Sequence, residues 1–523
     1  MSSRKPAART ILIVLAFGVF VAADDLTVVS TMLRQIVFDL EIPLPDGLDD
    51  AAWIVNAYLI AYVVVMPFVG RISDILGRRP VYIAAFTLFL AGSIWVPLAP
   101  DLPSFIFGRV LTALGGGAMV PVGMAIIGDV YEAKKRPTAL GTLGAIDTAG
   151  WVWGPLYGAL LIRFLSWQWQ FYLNIPLALI GIAASWWVLR DLPRPIGRPR
   201  IDWLGTATLT VGLLALNIAL LNSSDIQSVG SLAELTGQDS PSTWPLYLLA
   251  LVSFAVFILI EMRLSRGRSL ATGSKIESSS KVPPLIDLDL FRKRNFSPAV
   301  AVNFLVGWVL IIAMVNVPLL INVLEIDIQQ AAMTSGLLLS AMTVSMAITA
   351  YVGGRLTERF SYRPVTLMGL AAILIGFALM GLSWAVGTPY SKMIWQLAIL
   401  GTGFGLVMAP IGAAVINAAP EGQRGIASSL VIVFRLIGMS VGLSSLTAWG
   451  LHRFSILRQN IDLPPISEPS YEQALVDGLT TTTVAVLAET FVISAVIAGL
   501  AMIGASMLRP DEKNTDIPEQ SEV

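Results

Sequence analysis

The chain has 523 residues, 55% of them hydrophobic and only 13% charged, with a mean hydropathy of +0.74. That is about half the charge of an average soluble domain, and apolar runs of about 20 residues, long enough to cross a bilayer, recur throughout. The absence of cysteine excludes disulfides, thiol catalysis and Cys-based metal sites, the lone histidine, His452, excludes a His cluster, and the net charge of −1 carries no signal for nucleic acid.

The pattern reads as an all-α polytopic membrane protein with about fourteen transmembrane helices. Six spans centre near Ala16, Ala61, Leu88, Met119, Ala149 and Ile180, two near Leu213 and Val252, and six near Gly307, Thr343, Ile373, Gly403, Gly438 and Ile493. The expected organisation is a six-helix bundle over 1–195, two inserted helices over 196–266 and a Gly/Ser/Lys-rich linker over 267–294. A second six-helix bundle over 295–508 and a polar tail over 509–523 complete it. Arg4, Lys5 and Arg9 precede the first apolar run, but Asp24 and Asp25 interrupt it and no small-residue cleavage site follows, so it reads as a retained span. Of the 34 Lys and Arg, Arg109 and Arg435 fall within spans, and Arg34, Arg163, Lys392, Arg453 and Arg458 fall on one side. The rest lie in the tails and alternate loops, which puts both termini in the cytoplasm by the positive-inside rule.

The two bundles repeat. GRISDILGRRP, from Gly70 to Pro80, aligns without gaps to GRLTERFSYRP, from Gly354 to Pro364. The Gly-rich run ending at Pro121 echoes the one ending at Pro410, and Asp147-x2-Gly150-x3-Gly154 aligns with Arg435-x2-Gly438-x3-Gly442. Equivalent positions of the two halves thus carry opposite charges. Duplication with a site at the repeat interface is the architecture of alternating-access transporters.

Asp25, Asp147, Arg109 and Arg435 are the candidate functional residues, because an ionisable side chain within an apolar span is costly to retain. Asp147 shares a helix face with Gly150, Gly154 and Gly158, a face that lets another helix approach at backbone distance. Arg109 needs a carboxylate, and Asp25 and Asp147 are the candidates; a structural ion pair is the alternative. Asp24 lies about 100° from Asp25 around the helix, so the two face different partners. Asp74 is placed to hold an Arg or to cap a neighbouring helix N-terminus, and Glu489 reads as structural. From Phe454 to Leu479 a long connection with Pro464, Pro465 and Pro469 is expected.

Several of these stretches resemble the major facilitator superfamily. Gly70, Asp74, Gly77, Arg78 and Arg79 match its loop 2–3 gating motif, with Ile72 in place of Leu. Gly141, Gly150, Gly154, Pro155 and Gly158 match its antiporter motif, with Ala159 replacing the last glycine. Arg109 and Pro121 resemble its helix 4 motif. DLTVV from Asp25, Trp53 with Tyr58, the Trp167–Phe171 run with Gln168 replacing Arg, and Asn174-Ile175-Pro176 are similar to the fourteen-span drug:proton antiporter branch, the EmrB/QacA type. Arg34 ahead of Ile36, an acid at Asp147 and the GPLYG ending look like mycobacterial-type triacylglyceride exporters, which carry Glu where Asp147 stands and have an outer extension between their last two spans.

The resemblance implies a proton-coupled exporter of drug-like amphiphiles or lipids in the plasma membrane, with no cofactor, metal or catalytic residue. Asp25, Asp147, Arg109 and Arg435 would serve coupling. The partners would be protons, a hydrophobic substrate, membrane lipids and an extracytoplasmic lipid carrier protein. A proton-coupled importer, or a membrane enzyme or receptor, are the competing readings; the loops offer no metal or phosphate motif for an enzyme.

Overall fold

The computed structural model describes residues 8–42, 48–192, 202–223, 243–271, 284–325, 327–461, 464–465, 468 and 470–509. Among the described residues the structure is helical, without strands. The first half comprises α1 (Ala8–Asp39), α2 (Leu48–Leu76), α3 (Arg78–Trp95), α4 (Leu102–Val130), α5 (Arg136–Phe164) and α6 (Gln168–Val188). Next come α7 (Trp203–Ser223) and α8 (Trp244–Ala271). The second half comprises α9 (Phe296–Leu324), α10 (Ile328–Phe360), α11 (Tyr362–Ser383), α12 (Tyr390–Ala418), α13 (Arg424–Arg458) and α14 (Tyr471–Ser506). Among the described residues, thirteen helices are long and apolar enough to cross a membrane. The exception is α5, whose glycines, aromatics and Asp147 lower its hydropathy.

The halves pack by one pattern. The pairs α1–α5, α2–α4, α3–α4, α3–α6 and α1–α6 have counterparts in α9–α13, α10–α12, α11–α12, α11–α14 and α9–α14. Between the halves, α2 lies on α13 as α10 lies on α5. Helices α7 and α8 pair with each other, and α7 rests against α2 and α13, outside the repeat.

Glycine sets the closest approaches. A Cβ on Gly154 or Gly158 would collide with α1 at Thr27 or Thr31, and one on Gly438 or Gly442 would collide with α9 at Phe304 or Trp308. At the α2–α3 break Gly77 has φ 99°, a conformation that favours glycine. The equivalent α10–α11 break holds Ser361 at φ 68°.

Two expectations change. The connection between the last spans is shorter than Phe454 to Leu479, because α13 continues to Arg458 and α14 begins at Tyr471. Pro464 and Pro465 lie in that connection, and Pro469 lies outside the described residues. Asp147 also does not share the α1-facing surface. Three residues of helix turn it about 60° away from Gly150, and it points into the space between the halves.

Candidate functional site

Within the first half, α1 and α4 bring Asp25 and Arg109 together. Arg109 Nη1 donates to Asp25 Oδ2 at 2.9 Å, and both side chains are almost wholly buried. Asn174 Nδ2 on α6 donates to Asp25 Oδ1 at 3.2 Å. The guanidinium lies 4.1 Å from the centroid of the Tyr58 ring on α2, a cation–π contact. Asp25, not Asp147, is therefore the partner of Arg109. Asp24 turns away, as its helical offset requires, and accepts from Gln170 Nε2 at 3.1 Å.

Between the halves, Asp147 on α5 faces Arg435 on α13 at 4.0 Å. These are the equivalent positions of the internal repeat. They line a small cavity of about 20 Å³, room for about one water molecule, together with Trp151, Leu310, Met342 and Met346. Its wall is apolar apart from Thr148, Thr343 and this charge pair. The separation is long for an ion pair, so the two charges attract across the cavity without a fixed hydrogen bond.

The loop 2–3 residues form a latch at the end of the molecule that carries residues 8 and 509. Asp74 binds Arg78 at 2.6 Å and accepts from the Gly425 and Ile426 N–H groups at 2.9 and 3.0 Å. It thus does both things its position allowed: it holds an Arg and caps the N-terminus of α13, whose dipole favours the negative charge. Arg78 Nε reaches Asp129 at 2.8 Å, and Arg424 reaches the other oxygen of Asp129 at 3.1 Å. Gly70 sits where a Cβ would strike the Gly425 carbonyl. Arg79 belongs elsewhere: it donates to the Trp186 carbonyl at 2.9 Å and lies 4.5 Å from that indole ring.

The antiporter-motif positions also divide. Gly150, Gly154 and Gly158 face α1, whereas Gly141 meets the Ala350 carbonyl of α10 in the other half. Pro155 lies within α5, and its side chain falls outside the described residues. Glu489 forms a two-pronged pair with Arg453 at 2.9 and 3.2 Å.

Asp129, Arg424 and Glu261 were not singled out from the sequence. The first two were within reach of the repeat, since the spacing that relates Asp147 to Arg435 also relates Arg136 to Arg424 and Asp129 to Asn417. Glu261 on α8 accepts from the Leu285 and Ile286 N–H groups at 3.1 and 3.4 Å, tying the inserted helices to the chain entering the second half. No motif announces it.

Two six-helix halves related by a repeat, with opposed charges at a cavity between them, define a secondary-transporter fold. A model of the Major Facilitator Superfamily matches residues 15–223 and 228–443, and the chain belongs to that superfamily. It is similar to a triacylglyceride transporter of Mycobacteroides abscessus, 32% identical over 468 residues that cover 87% of this chain and 84% of that protein. It is also similar to the multidrug transporter protein MdtP of Bacillus subtilis, 30% identical over 449 residues covering 85% and 76% of the two chains. The fold matches the human organic anion transporter MFSD10 at a TM-score of 0.58 and 14% identity, over 94% of this chain and 100% of that one. It matches the proton:xylose symporter XylE at 0.58 and 14%, over 95% and 94%. The chain is a multi-pass membrane transporter, not an enzyme.

Proposed function

We propose that this transporter is a proton-coupled exporter of the fourteen-span antiporter type, exchanging protons for a hydrophobic or amphiphilic compound, a drug-like molecule or a lipid. The observation that carries the reading is the Asp147–Arg435 pair, contributed by opposite halves and held 4.0 Å apart at the cavity. Protonating Asp147 removes the charge that Arg435 answers, and the attraction holding the halves together there disappears. Substrate release and proton uptake then share one conformational step. The apolar cavity wall supports a hydrophobic cargo, as do relatives named for triacylglyceride and multidrug transport. Asp25 and Arg109 serve as the second coupling pair. The loop 2–3 residues act as the gate, and the antiporter-motif glycines allow α5 to move against α1. We place both termini in the cytoplasm and the protein in the plasma membrane, with an extracytoplasmic lipid carrier as a further partner when the cargo is lipid.

The test is uptake into inside-out proteoliposomes with an acidic interior, offering a fluorescent triacylglyceride and a cationic dye in parallel. Accumulation of either cargo that collapses with the pH gradient supports the proposal and assigns the substrate class. Accumulation that ignores the gradient contradicts proton coupling.

A further inference from the structure

Asp24 is buried beside a pair it does not join. Its neighbour Asp25 takes both terminal nitrogens of Arg109, one through its carboxylate and one through its backbone carbonyl, and accepts from the amide of Asn174. The two carboxylates and one guanidinium leave one negative charge unanswered, and among the described residues no Lys, Arg or His lies within ion-pair distance of Asp24. One Asp24 oxygen, Oδ2, accepts from Gln170 Nε2 at 3.1 Å. The other, Oδ1, is buried without a hydrogen-bond partner, and so is Gln170 Oε1 on a side chain with no exposure. Two unpartnered acceptors, one on each member of a hydrogen-bonded pair, lack a donor between them. A desolvated, unpaired carboxylate is unfavourable, and a buried acceptor without a donor adds to the cost. One added proton answers both deficits.

We propose that Asp24 is a second proton-binding site in the first half, with the proton on Oδ1 donated to Gln170 Oε1 to close a carboxylic acid–carboxamide pair. Among the described residues no group donates to Asp24 Oδ1 or Gln170 Oε1. On α4 the charged neighbour is Arg109, committed to Asp25. On α2 it is Tyr58, whose ring covers Arg109. On α5 they are Asp147, which faces Arg435, and Tyr157, which lies within electrostatic range of Asp24. On α6 they are Gln170 and Asn174. The site is distinct from the cavity pair, so a transport cycle using both would carry more than one proton; that use in transport, but not the site itself, rests on the proton-coupled reading above.

The experiment reads the proton directly. Infrared spectra of the full-length protein in lipid nanodiscs at neutral pH are compared for the wild type, Asp24→Asn, Asp25→Asn and Gln170→Leu. An Asn at position 24 retains a hydrogen bond to the Gln170 amide, so the variant keeps the local packing. The expected result is a protonated-carboxyl C=O band in the wild type that shifts in D₂O, is lost in Asp24→Asn, persists in Asp25→Asn and moves in Gln170→Leu. Equal band intensity in the wild type and Asp24→Asn overturns the proposal. So does a band that appears only when sodium is replaced by a large organic cation, which would assign the site to a metal cation. Gradient-driven transport with no Asp24 band leaves the proposed function standing without this site; the band without gradient-driven transport does the reverse.

Discussion

Arg109 shows how much one buried residue can organise. Its guanidinium bonds to Asp25, stacks on Tyr58 and lies 5.9 Å from the Phe171 ring centroid, so helices α1, α2, α4 and α6 converge on it. Removing one partner of a buried pair leaves the other charge uncompensated, a loss of about 3–5 kcal/mol. Arg109→Ala should therefore lower the thermal midpoint of the purified protein far more than Asp25→Asn combined with Arg109→Gln. Equal losses would show that the charge balance is unimportant. Arg109→Lys should not restore activity, because an ammonium cannot reproduce the planar contact with both Asp25 and Tyr58. The pairing was half-legible: a buried Arg demanded an acid, but choosing Asp25 over Asp147 required knowing how α4 is rotated against α1.

At the scale of elements, the duplicated latch is unequal. On one side Arg78, Asp129 and Arg424 form a charged chain, and Asp74 caps α13. The equivalent positions on the other side are Tyr362, Asn417 and Arg136, joined through the amide of Asn417 to the Tyr362 hydroxyl and the Arg136 guanidinium. The counterpart of Gly425 is Pro137, which has no N–H to be capped. The α2–α13 seam is thus held by ionic hydrogen bonds, whereas the described contacts at the α5–α10 side include close backbone packing and the amide of Asn417. Because the chain has no native cysteine, a thiol introduced by Ser428→Cys, at a position that bonds the Pro121 carbonyl across the seam, reports its opening. Asp74→Asn should speed its alkylation about tenfold, the equivalent of losing about one charge-assisted bond; an unchanged rate would remove Asp74 from the latch. At the α10–α11 break, Ser361→Gly should raise stability by up to about 1 kcal/mol in thermal unfolding, since glycine tolerates the positive φ. At an open position such as Gly422, alanine should be tolerated, whereas Gly154→Val should prevent α1 and α5 from closing.

For the whole molecule, the internal repeat made the architecture readable in advance. The gapless match from Gly70 to Gly354 and the opposed Asp147 and Arg435 already implied two halves meeting at a charged centre. What one sequence could not display was rotation and reach. Apolar residues cover all sides of a membrane helix, so periodicity does not say which face meets protein and which meets lipid. That is why Asp147 was assigned to the same face as Gly150, Gly154 and Gly158, and why Gly141 was grouped with glycines that pack against a different helix. Helix length was underestimated for a related reason. At about 1.5 Å per residue, α13 and α14, with 35 and 36 residues, exceed a bilayer core of about 30 Å. Their polar ends extend as helix where loop was expected.

The cavity at Asp147 and Arg435 lies between the halves, so in the proposed cycle separating them there is the step that protonation controls. The most direct measurement is pH-gradient-driven transport by wild type and Asp147→Asn, alongside exchange of the same cargo without a gradient. The account predicts that the variant loses gradient-driven accumulation and retains downhill exchange. Gradient-driven accumulation at the wild-type level in Asp147→Asn would contradict it.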